Sequence, residues 1–169
     1  SNEQLEQSAT IVEAINQETS FTRLLTKILE EARVMPGVEK ATAIVYVPED
    51  DRFHVRASSG WDVEAMSHIP LTKEEANTRY VDQATEVADG IFIAKDVKNR
   101  AATDQMAEYG DVASFMVLRV MVEEEVVSYL VFDNLSDENA FAQRDVDLLQ
   151  RLKLHITSAF IKTQILEDL

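Results

Sequence analysis

The chain has 169 residues, 46% of them hydrophobic, and 16 basic against 31 acidic side chains give a formal net charge of −15. That length suits one domain with a sizeable core, and the negative balance repels phosphate backbones and anionic membrane surfaces, so neither nucleic acid nor membrane is expected as a partner. There is no cysteine, which removes disulfides, thiolate metal sites, cysteine nucleophiles and thioether-linked chromophores together and fits a cytoplasmic setting.

Leu5, Ala9, Val12 and Ile15 recur like one face of a helix, which predicts a first helix at the start of the chain. Thr19-Ser20 offer N-caps for a second, in which Phe21, Leu24, Leu25, Ile28, Leu29 and Ala32 form an apolar stripe and Pro36-Gly37 the stop. The period then changes from helical to alternating. ATAIVYV (41–47), the turn PEDDR (48–52) and FHVRASS (53–59) predict a hairpin, with Phe53, Val55 and Ala57 on one face and His54, Arg56 and Ser58 on the other. Thr72 and Glu75 fit a capping box that opens a helix to about Ala84. GIFIAKD (90–96) predicts a short strand, and DQMAEYG (104–110) a helix stopped by Gly110.

SFMVLRVMV (114–122) and VVSYLVFDN (126–134) are nearly continuous apolar runs joined by Glu123-Glu124-Glu125, the pattern of central strands covered on both sides. From Gln143 to Leu169 one helical pattern runs without Gly or Pro. Helices at both ends and hairpins between them define an α+β domain with an antiparallel sheet and helices on each face.

The carboxylates between the last strand and the last helix read as punctuation. Phe141 and Val146 fit the N′ and N4 positions of a hydrophobic staple around Ala142, and Asp145 falls at N3, where its charge meets the positive helix end. A calcium loop starting at Asp133 fails, because its third and sixth positions are Leu135 and Glu138. Acid/base chemistry at Asp133 or Asp145 lacks a second group to complete it. His54, His68 and His155 show no metal-ligand spacing, and no phosphate-binding or nucleophile motif is present.

A strand ending in Asp133-Asn134, a polar loop, then Phe141 and Asp145 followed by Leu148-Leu149, resembles the C-terminal signature of GAF domains. SFMVLRVMVEEEVVSYLVFDN resembles their last hairpin, GVEKATAIVYVPEDDRFHVRASSG their first, and LLTKILEEARVM the helix before it, together spanning about residues 20 to 160. The resemblance implies a six-stranded antiparallel sheet with helices on both faces and a small-molecule pocket between the sheet and the middle helices. It also implies a regulatory role in a larger signalling protein. Ligands in that family include cyclic nucleotides, tetrapyrroles, haem and small metabolites. Without cysteine the chain cannot carry a bilin thioether or act as a free methionine sulfoxide reductase of the GAF type. Leu135 and Val146 replace the Lys and Glu of the cyclic-nucleotide motif, so that motif's Lys–Asp pair cannot form.

Arg119 interrupts an apolar strand and shares a face with Phe115, Val117 and Met121, so it is read either as a pocket cation for an anionic group or as one half of an internal ion pair. Trp61, at the end of the second strand, either stacks on a ligand or closes the core. Asn77, Tyr80, Asp96 and Arg100 fall in the segment that would roof the pocket. These residues, with Phe115, make up the expected ligand site; they name no cofactor. In the last helix Leu149, Leu152, Ile156, Ala159, Thr163 and Leu166 form one stripe and Leu154, Ile161 and Ile165 a second flank, which calls for a partner helix. The expected organisation is a linker and dimerisation helix over 1–19, a sensory domain over 20–160 and the end of a signalling helix over 161–169. Such a homodimer would bind a small molecule and relay the signal to an attached output domain. The alternative is a ligand-free dimerisation module, and an enzyme using Asp133 or Asp96 ranks last.

Overall fold

The computed structural model describes residues 2–62, 69–101 and 111–168. The elements run α1 (Asn2–Ala32), β1 (Lys40–Val47), β2 (Arg52–Ser59), α2 (Lys73–Asn77) with a π-helical turn (Thr78–Asp82), β3 (Thr85–Ala88), β4 (Ile91–Ala94), α3 (Val97–Ala101), β5 (Ser114–Val122), β6 (Glu125–Asn134) and α4 (Gln143–Asp168). All six strands pair antiparallel in the order β2-β1-β6-β5-β4-β3. The two most apolar runs, β5 and β6, take the two central places, because only there are both faces of a strand covered.

Strand alternation divides the core in two. On one face Met116, Leu118, Leu130 and Phe132 pack with Leu25 and Leu29 of α1 and Leu149 and Phe160 of α4, where the Phe21 and Phe160 rings meet edge-on at 5.1 Å. On the other, Phe92, Phe115, Val117, Tyr129 and Val131 pack with Phe53 and with Ala76 and Tyr80 of the α2 segment.

Three expectations change. The two N-terminal helices are one continuous α1; Thr19-Ser20 do not cap, because no Gly or Pro between Leu5 and Ala32 interrupts the helical hydrogen-bond ladder. The capping box at Thr72 and Glu75 forms with both bonds at 3.0 Å, but the helix gives way to the π-helical turn and then to β3 instead of running to Ala84. This edge strand carries little apolar pattern in TEVA and is held by its pairing with β4 across Asp89-Gly90, where Gly90 adopts φ +75°. In β2, a bulge shifts the register so that Ala43 faces Ala57 while Ile44 faces Val55. Phe53 therefore packs on one side of the sheet and Ala57 on the other, and Arg56 donates to Thr22 Oγ1 of α1 at 2.9 Å.

The staple at α4 is present. Phe141 and Val146 are buried, and the Ala142 N–H donates to Asp145 Oδ2 at 2.8 Å. The segment 104–110, expected to be helical, lies outside the described residues, as does His68.

The β5–β6 turn is two residues long, since Glu125 pairs with Val122, and both turn residues sit at positive φ, Glu123 at 52° and Glu124 at 68°. A tight hairpin turn requires this, but a side chain resists it. Glu124→Gly is expected to raise stability by about 1 kcal/mol, read as a higher denaturant midpoint; an unchanged or lower midpoint refutes the strain.

Candidate functional site

The site is built where β1, β5 and β6 present side chains toward the α2 segment. Along β6 the pleat sends Tyr129, Val131 and Asp133 to this face, while Asn134 turns away and serves the loop. Its Oδ1 accepts from the Ser136 and Asp137 amides at 3.0 and 2.7 Å, and its amide donates to Gly37 O at 3.0 Å. The reading of Asp133-Asn134 as punctuation holds for Asn134 but not for its neighbour. Asp133 is 6% exposed, lies opposite Lys40 of β1 and Phe115 of β5, and its Oδ1 meets no hydrogen-bond partner.

Trp61 follows Gly60 at the end of β2, and Gly60 is needed there. It adopts φ +85°, and a Cβ would stand 2.9 Å from Glu39 O. The indole is half-buried on the same face, with the Lys40 ammonium 4.2 Å from its ring centroid. Its Nε1 and the Ser58 Oγ are, like Asp133 Oδ1, buried without a partner. Burial pushes the Asp133 carboxyl up to about 7; the Trp61 indole N–H, close by but outside hydrogen-bonding geometry, and the Lys40 ammonium pull it back only in part.

Aromatic rings fill the centre of the face. Tyr129 lies 5.3 Å from Phe53 and 5.4 Å from Tyr80, and Tyr80 lies 6.3 Å from Phe115. Burial raises the Tyr80 phenol to about 12, with Arg79 beside it acting the other way. At the far end Arg119 faces Tyr129 across the β5–β6 ladder, with its guanidinium carbon 5.1 Å from the Phe92 ring centroid and its buried Nε without an acceptor. The Tyr129 phenol is raised by burial and lowered by Arg119.

Of the residues expected at the site, Trp61, Tyr80, Phe115 and Arg119 stand on this one face. Asn77 does not join them; its amide donates to Asp82 Oδ1 at 3.3 Å on the surface. Asp96 is exposed at φ 53°, on the opposite side of the sheet, where it helps line a groove of about 590 Å³ with Thr85, Ile93, Lys95 and Phe141. Arg100 lies within α3, and its side chain is not among those described. The groove is open, and none of the partnerless buried atoms belongs to its lining. The Trp61–Asp133 face, with four such atoms, is the better candidate. Lys40 and Ser58 were not singled out by sequence reasoning, and Asp133 was weighed only as a calcium or acid/base residue and set aside. Continuing the alternation from Tyr129 through Val131 would have pointed Asp133 inward.

Among the described residues no group of three or more His, Cys, Asp or Glu side chains could hold a metal ion, and no helix is long and apolar enough to cross a membrane.

No family model and no curated protein matches the chain by sequence. Its backbone is similar to the GAF domain of an Acinetobacter phosphoenolpyruvate-protein phosphotransferase, at 22% identity and a TM-score of 0.66 over 98% of this chain and 96% of that one. It is similar also to the GAF region of a putative membrane protein from Geobacter sulfurreducens, at 14% identity and 0.66 over 88% and 97%. A third likeness is to the type II free methionine-R-sulfoxide reductase of Thermoplasma acidophilum, at 12% identity and 0.65 over 86% and 95%. The chain has the GAF-domain fold.

Proposed function

We propose that the chain is a non-catalytic regulatory GAF domain of a cytoplasmic signalling protein, which binds a small molecule on the Trp61–Asp133 face and relays the event through α1 and α4 to an attached output domain. The observation that carries this reading is the set of buried polar atoms left without partners on one face, namely Ser58 Oγ, Trp61 Nε1, Asp133 Oδ1 and Arg119 Nε. A face built only to fill itself would pair them, because each unmet group costs about 1–3 kcal/mol. The attached output domain is suggested by neighbours that are themselves domains of larger proteins, such as the phosphotransferase. Sulfoxide reduction, named for one neighbour, is not carried over, since the chain has no cysteine for thiol redox chemistry.

The relay would use the terminal helices. Leu5 and Val12 on α1 are exposed and seven positions apart, and so are Leu154 and Ile161 on α4. That is the repeat of a two-helix seam, which a second copy of the chain would cover. Ligand binding would favour one of two arrangements of the seam. Val12→Asp and Leu154→Asp are expected to turn a dimer into a monomer in sedimentation; a wild-type monomer sinks the homodimer.

The alternative, a ligand-free dimerisation module, draws its support from the Phe53, Tyr80, Phe115 and Tyr129 rings that occupy the centre of the face. A thermal-shift screen with cyclic nucleotides, amino acids, organic acids and haem separates the two. A ligand at a hundredfold excess over its dissociation constant adds about 2.7 kcal/mol, and Arg119→Ala is expected to weaken it. A flat response across the panel favours the ligand-free module.

A further inference from the structure

Lys40 and Asp133 carry opposite charges, stand directly across the β1–β6 ladder and leave the same face. Cross-strand neighbours of this kind have Cβ atoms about 5 Å apart and ordinarily pair. Here they do not. The Lys40 ammonium lies 4.2 Å from the Trp61 ring centroid, and the carboxyl lies beside the indole N–H. Trp61 Nε1 and Asp133 Oδ1, a donor and an acceptor, are both buried and neither has a partner. What each atom lacks the other supplies, so a turn of the indole joins them without any new group entering.

One proton decides which pairing is favoured. A neutral carboxyl leaves the ammonium on the face of the indole, which attracts a cation by itself. A carboxylate accepts hydrogen bonds about twice as strong as a neutral acceptor does, and it draws the ammonium across the ladder. We propose that Lys40, Trp61 and Asp133 form a proton-operated latch. With Asp133 protonated the ammonium rests on the indole; with Asp133 ionised the indole N–H and the ammonium both turn to the carboxylate. Burial holds this carboxyl at about 7, so both arrangements are populated near neutral pH.

The surroundings leave Lys40 as the charge that answers a change at Asp133. β5 presents the uncharged Phe115, and the α2 segment presents the Tyr80 phenol, which keeps its proton up to about 12 with Arg79 beside it. Glu39 turns its carboxylate to the Leu135 amide and the Ser136 hydroxyl. Arg33 of α1 donates to Ser59 Oγ, and Asp62 is exposed. The latch also sits where movement can reach the terminal helices. Asp133 O accepts from the Glu39 amide at 2.9 Å, and Asn134 donates to Gly37 O at 3.0 Å, both in the link from α1 to β1. Asn134 Oδ1 holds the loop that leads to α4. The device needs no bound molecule, so it goes beyond the ligand reading and does not depend on it.

Trp61 is the only tryptophan, so the chain gives one indole N–H signal in proton NMR, and that signal reports on this cluster alone. The experiment follows it from about pH 5 to 9 in the wild type, Asp133→Asn and Lys40→Met. A downfield shift is expected as pH rises, with its midpoint at about 7, as the hydrogen bond to the carboxylate forms. Asp133→Asn keeps the shape of the side chain and is expected to abolish the transition. Lys40→Met is expected to move the midpoint upward, because the cation that favours the ionised form is gone. A signal that does not titrate in the wild type overturns the latch. So does a transition that survives in Asp133→Asn, which would belong to a histidine, or a midpoint that Lys40→Met leaves in place.

Discussion

Asp133→Asn is expected to make the protein more stable at pH 8, by up to about 4 kcal/mol, and to leave it nearly unchanged at pH 4. Burial raises this carboxyl from its ordinary 3.8 to about 7 in the folded protein, so between those values the native state holds a proton that the unfolded chain gives up. Stability tied to that proton is complete below pH 3.8 and is lost as pH rises through about 7. Above that point the folded protein keeps an ionised, incompletely paired carboxylate out of water. Asparagine has the same shape and never ionises, so the difference between the two proteins isolates this one group from the other thirty acids of the chain. Urea titrations of both at pH 4, 6 and 8 make the comparison. Equal stability at all three pH values, or a more stable wild type at pH 8, would show that Asp133 is solvated or already paired.

Phe115→Ala is expected to cost about 3–5 kcal/mol. The ring is 0% exposed, near the start of β5 between Tyr80 and the strands on either side, so its removal leaves a cavity that the sheet cannot close. Met121, on the same face of the same strand but beyond the covered region, is 39% exposed, and Met121→Ala should move stability by no more than about 0.5 kcal/mol. Denaturant midpoints of the two variants test the pair together. A small effect at Phe115 would mean that the face is loosely filled and already has room for a ligand.

Much of this protein was legible before any tertiary contact was known. The hairpins of β1–β2 and β5–β6, the capping box at Thr72, the staple of Phe141 and Val146, and the central placing of the two most apolar strands depend on neighbours close in sequence or on total apolar content. Such signals survive in a linear reading, because local backbone preference and binary pattern act over a few residues. β3 left almost no such trace. An edge strand of four residues takes its conformation from the strand beside it, so TEVA carried no pattern of its own. The bulge at Arg56 likewise came from the partner strand and from Thr22 on α1, and it sent Phe53 and Ala57 to opposite faces.

The site divides in the same way. The sequence offered Trp61, Asn77, Tyr80, Asp96, Arg100, Phe115 and Arg119 as candidates to line a pocket, and it leaves no thiol chemistry available. Only the tertiary structure put Asp133 on the same face as Trp61, Tyr80, Phe115 and Arg119, with Asn77 on the surface and Asp96 on the opposite side. Whether a carboxylate at a strand end meets water or lies buried depends on what covers it. Here the cover is Trp61, just after β2, and Tyr80 from the α2 segment, and Lys40 across the ladder is turned onto the indole instead of onto the carboxylate. Each of those groups is far from Asp133 in sequence, and the state of a buried charge is set by the few ångströms around it.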